Sequence, residues 1–128
     1  MYVYYNPNPK HNSVGDCTVR AISRALKQDW YTAYLNIVVQ GYMSCNMPSS
    51  NRVWGDYLKN QGFIRHIIGP SCPDCYTVRD FCNDHPSGIY ILGTGEHVVT
   101  VINGDYYDSW DSGDEVPLYY YTKEETND

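Results

Sequence analysis

Apolar positions recur along this chain with two periods, a helical one in the first half and an alternating one in the second. From Cys17 to Lys27, Val19, Ala21, Ile22, Ala25 and Leu26 gather on one face at 100° per residue, while Arg20, Ser23, Arg24 and Lys27 gather on the other. This predicts a helix over 17–27 with Asp16 as its N-cap and with Arg20 and Arg24 on a solvated face. Asp29 caps a second predicted helix over 30–40, with Trp30, Tyr34, Leu35 and Val38 inward and Gly41 as a stop. Ser50 caps a third, whose stripe is Val53, Trp54, Tyr57 and Leu58 and which ends at Gly62. FIRHII reads as a strand, and TVRDFCND as a short helix stopped by Pro86. Then GIYIL, HVVTVI, DYYDSW and PLYYYT follow as β-rich runs separated by Gly, Asn and Asp. Helices first and an antiparallel sheet afterwards predict an α+β fold over 1–128, taken as one domain. Residues 1–11 are a turn-rich N-terminal arm, broken most clearly at Asn6-Pro7-Asn8-Pro9, and 123–128 a frayed tail.

The polar side of the pattern narrows the function. A formal net charge of −6 with no basic run disfavours nucleic acid and anionic membrane surfaces as partners. No stretch approaches 18 apolar residues, and the start of the chain has no basic-then-apolar leader, so a soluble, cytoplasmic protein with reduced thiols is expected.

Cys17 stands in the first helical turn, at the border of the apolar and polar faces. Unpaired N–H groups and the positive dipole end there favour a thiolate. Such a nucleophile needs a histidine base and a group to orient the histidine. Asn103-Gly104 is a strong type I′ hairpin signal; it pairs Ile102 with Asp105, puts His97 opposite Trp110 and Val99 opposite Asp108, and so sets Asp108 diagonal to His97 on one sheet face. The order is therefore Cys17, His97, Asp108.

That order, on a helix followed by an antiparallel sheet, resembles papain-like cysteine peptidases. Asp108-Ser109-Trp110 is similar to their Asn-Ser-Trp, and GDCT followed by HVVTVINGDYYD resembles NlpC-type endopeptidases and small papain-like proteins of bacteria and phages. The resemblance covers roughly residues 12–111; the Cys-Gly-Ser-Cys-Trp signature of papain is absent. It implies a papain-like core and a thiol hydrolase cleaving an amide bond in a peptide, a peptidoglycan stem or an isopeptide. Cys17 is then the nucleophile, His97 the base, Asp108 the orienting acid and Trp110 a shield. The oxyanion hole comes from the Cys17 backbone N–H and a side chain just upstream, Asn12 or, next in line, His11. Peptide or protein is the expected substrate, and no cofactor is expected. Transfer of the acyl group to an amine would use the same triad, and a non-catalytic interaction protein could keep its geometry. Cys72, Cys75, Cys82 and His85 form C-x-x-C, six residues, C-x-x-H, which suits zinc by ligand type but has a short gap; reduced thiols or a Cys72–Cys75 disulfide are the alternatives.

Overall fold

A computed structural model describes residues 1–69 and 75–123. It is a mixed α+β structure with, among the described residues, four helices and one six-stranded sheet. In chain order the elements are β1 (Tyr2–Tyr4), α1 (Cys17–Leu26), α2 (Trp30–Met43), α3 (Asn51–Asn60), β2 (Ile64–Ile67), α4 (Val78–Asp84), β3 (Ile89–Gly93), β4 (Val98–Ile102), β5 (Asp105–Asp108) and β6 (Tyr119–Thr122). The strands lie in the order β1-β5-β4-β3-β6-β2. All neighbours are antiparallel except β1, which runs parallel to β5.

The hairpin between β4 and β5 follows its turn chemistry. Asn103 and Gly104 both have positive φ (50° and 81°), as a type I′ turn requires, and Ile102 pairs with Asp105. Helix starts follow theirs: Asp29 accepts from Thr32 N–H, Ser50 accepts from Arg52 N–H, and Thr77 with Asp80 forms a reciprocal capping box.

Alternation along the strands sends apolar side chains to both faces of the sheet. One core joins Ile22, Val53, Trp54 and Leu58 of α1 and α3 to Ile91, Val98 and Tyr121. The other joins Val78 and Phe81 of α4 to Leu92, Val99, Val101 and Tyr106.

The structure departs from the sequence reading in four places. The expected arm contains β1, whose partner strand lies a hundred residues away and leaves no local trace. Asp16 sits at the N-cap position of α1 but makes no side-chain cap bond, because its carboxylate serves Arg20 and Trp30 instead. Arg20 and Ser23 are buried, not on a solvated face, since α1 is covered on more than one side. Helix α2 runs through Gly41 and buries Ala33, Ile37 and Gly41, leaving Tyr34 and Leu35 exposed. Its apolar residues surround the helix, so their period could not select the inward face. Of the expected tail, residues 124–128 lie outside the described residues.

Candidate active site

Three segments meet at one end of the sheet: the first turn of α1, the turn entering β4, and the chain leaving β5. His97 is not within the strand but just before it. Its N–H donates to Thr94 Oγ1 (3.0 Å) and its carbonyl accepts from Thr94 N–H (2.9 Å), so the β3–β4 turn fixes its backbone. Asp108 is the last residue of β5 and has no solvent exposure.

His97 Nε2 lies 2.6 Å from Asp108 Oδ2. An ionised carboxylate only accepts, so Nε2 carries the proton and Nδ1 is left to face a second group. Cys17, the first residue of α1, is the group that couples electrostatically to His97, each acting on the other's ionisation. Burial opposes ionisation of the Cys17 thiol. The His97 hydrogen bond and charge, a hydrogen bond from the Val98 backbone N–H and the charge of Arg20 outweigh it, and hold the pKa below the ordinary thiol value. Burial likewise opposes the imidazolium, yet the hydrogen bonds and charges of Asp108 and Cys17 raise His97 to about 9. Asp108 follows the same logic: burial works against its charge, while hydrogen bonds from His97 and Ser112 and the charges of His97 and Arg20 keep its carboxyl below the usual range.

Every acceptor position on Asp108 is used. Oδ2 also accepts from Ser112 Oγ at 2.6 Å. Oδ1 accepts from Ser109 N–H at 2.8 Å and from Arg20, through Nε at 3.2 Å and Nη2 at 2.9 Å. Arg20 Nη1 donates to Asp16 Oδ1 at 2.7 Å, and Trp30 Nε1 donates to Asp16 Oδ2 at 2.9 Å. The charged groups therefore alternate in sign from Asp16 through Arg20, Asp108 and His97 to Cys17.

Trp110 lies just past β5, and its ring centroid is 4.8 Å from that of His97 at a 45° tilt. With 45% of its surface exposed, it covers one side of the imidazole from the solvent side.

The structure thus brings together Cys17, His97, Asp108 and Trp110. It does not tie Asn12 to them. Asn12 is exposed, its backbone carbonyl accepts from Asn6 Nδ2 at 3.3 Å, and among the described residues its amide bonds to none of the triad. His11 is also exposed, with φ at 56°. The residues missed in the sequence are Arg20, Ser112, Trp30 and the true role of Asp16. Of these, only Asp16 and Arg20 leave a signal, the i,i+4 spacing of an acid and a base.

The zinc set read from the sequence falls in part outside the described residues. Cys72 lies outside the described residues, and with it the Cys72–Cys75 disulfide. Cys75 is exposed, whereas Cys82 is buried in the α4 core, where desolvation pushes its thiol up to about 11. His85 is stacked on Phe81 at 3.8 Å between ring centroids and donates from Nδ1 to the Phe81 carbonyl. Among the described residues, no three side chains of His, Cys, Asp or Glu come together to hold a metal ion, and no helix is long and apolar enough to cross a membrane.

Comparison with family models, with curated proteins and with solved structures finds no match to this chain.

Proposed function

We propose that the protein is a thiol-dependent hydrolase of amide bonds, built on a papain-like core and acting on a peptide or protein. The observation that carries this reading is the position of His97, held by Asp108 through Nε2 and interacting with the Cys17 thiol at the start of a helix. Lowering of the Cys17 pKa and raising of that of His97 favour a resting thiolate–imidazolium pair.

The thiolate attacks the amide carbonyl carbon, and the carbonyl π electrons pass to oxygen. The Cys17 backbone N–H, at a helix start where it has no intrahelical acceptor, stabilises that oxyanion. As the C–N bond breaks, His97 gives its Nδ1 proton to the leaving amine. Water, deprotonated by His97, then hydrolyses the thioester and restores the thiol. Asp108 keeps the Nε2 proton in place throughout and stabilises the imidazolium. Cytoplasmic, reducing conditions are those in which such a thiol persists.

The test is competitive alkylation by iodoacetamide near neutral pH, alongside turnover of a fluorogenic peptide library. Cys17 reacts ahead of the exposed Cys45 and Cys75, and His97→Ala removes that lead. Equal rates at Cys17 and Cys45 would sink the hydrolase reading. The pH profile of kcat/KM has the sign of the two shifts. Activity rises from acid as the Cys17 thiol ionises, below the ordinary thiol range, and falls through about pH 9 as His97 loses the proton that the leaving amine needs.

A further inference from the structure

Outside the triad, an arginine three residues beyond Cys17 reaches into the site. Arg20 is only 4% exposed, and its guanidinium is divided between two buried carboxylates, Asp16 and Asp108. We propose that Arg20 is the positioning residue of this site: it grips Asp108 Oδ1, leaves Oδ2 to His97, and so ties the strand that orients the base to the helix that carries the nucleophile. The inference rests on the triad described above and goes beyond it.

The connectivity supports this role. Cys17 and Arg20 are i and i+3 on α1, so they share one side of the first turn. From Cys17 the contacts run to His97, then to Asp108, then to Arg20, and so back to α1. The His97–Asp108–Arg20 part of this circuit is hydrogen-bonded throughout, so Asp108 cannot turn without breaking a bond to one of them. A lysine ammonium would neutralise Asp108 but has no rigid pair of donors to hold one oxygen from two directions. Arg20 places both Nε and Nη2 on Oδ1 and so fixes where that oxygen sits, while His97 and Ser112 hold Oδ2.

Energetics points the same way. Burying a cation between two carboxylates carries a desolvation cost that its own ion pairs often only cancel, and an apolar set of similar volume would hold the fold as well. The cluster does for His97 what an apolar set cannot: it keeps an ionised acceptor at a fixed angle in a water-poor place. The titratable groups around it are Asp16 and Cys17 from α1, His97 entering β4, Tyr2 of β1, whose hydroxyl donates to the Asp108 carbonyl at 3.1 Å, and Asp111 beyond β5, which acts on Tyr2.

Two readouts that do not depend on a substrate test the role: the pH dependence of Cys17 alkylation by iodoacetamide, and the low-field proton NMR signal of His97 Nε2–H. The first variant is Arg20→Met with Asp16→Asn, which removes the cation and one carboxylate together. Its alkylation limb moves up by about one pH unit, a tenfold loss of thiolate at fixed acidic pH, and its low-field signal is lost. The second is Arg20→Lys, which keeps the charge without the fork. Its alkylation limb stays near that of the parent while the low-field signal still moves. A low-field signal unchanged in Arg20→Lys, or a parental limb and signal in the folded double variant, overturns the role of Arg20. Should the double variant not fold, the Arg20→Lys signal decides. A parent protein that alkylates fast at Cys17 yet cleaves no amide would sink the hydrolase reading and leave this one standing.

Discussion

The helices α1 and α2 lie side by side, and their compositions suggest the reverse of their surroundings. In α1, two of ten residues are arginines, yet six of the ten are buried, Arg20 among them. In α2, none of fourteen residues is charged, yet Tyr31, Leu35, Val39, Tyr42 and Met43 are all more than half exposed. Hydrophobicity alone does not decide which helix goes inside. α1 is central because it must touch the sheet, α2 and the end of β5 at once; its Thr100 contact, where the hydroxyl donates to the Ala21 carbonyl at 2.6 Å, shows how closely it lies on β4. α2 needs only a narrow seam of Ala33, Ile37 and Gly41 to dock.

The contrast can be broken in order of expected effect. Arg20→Met alone leaves Asp16 and Asp108 buried without their cation and costs about 3–5 kcal/mol in urea unfolding; a loss below 1 kcal/mol would mean that α1 does not depend on its buried charge. Gly41→Ala adds a methyl 2.9 Å from the Asn46 carbonyl oxygen and 3.3 Å from Pro48. It costs about 1–3 kcal/mol by the same measurement, and no change would show that the seam of α2 is loose. Leu35→Lys on the outer face of α2 changes stability by less than about 0.5 kcal/mol. A larger loss, particularly one that depends on protein concentration, would show that this face is covered in solution.

The parts legible in the sequence are those set by neighbouring residues. Asn103-Gly104 fixes the hairpin register, and from that register the meeting of His97 and Asp108 follows. The starts of α2 and α3 are likewise readable from their caps, Asp29 and Ser50. What was hidden depends on distant partners. Arg20 has the helical position of a solvated residue, and one of the two carboxylates that hold it inside, Asp108, lies 88 positions away. Ser112 looks like an ordinary turn serine until Asp108 needs a second donor at Oδ2. β1 is masked by the turn-forming residues that follow it, and α2 by apolar residues on every side.

The parallel pairing of β1 with β5 has a consequence for when the cluster around Asp108 assembles during synthesis. Tyr2 donates to a carbonyl 106 positions later, and Tyr5 N–H bonds to that same Asp108 oxygen. Contacts so remote close late, and topologies that depend on them fold slowly. A growing polypeptide therefore exposes Cys17 early but lacks both imidazole and carboxylate until almost all of the sheet has left the ribosome. A prematurely terminated chain that stops before residue 97 carries the Cys17 thiol without the imidazole that lowers its pKa or the carboxylate that holds that imidazole.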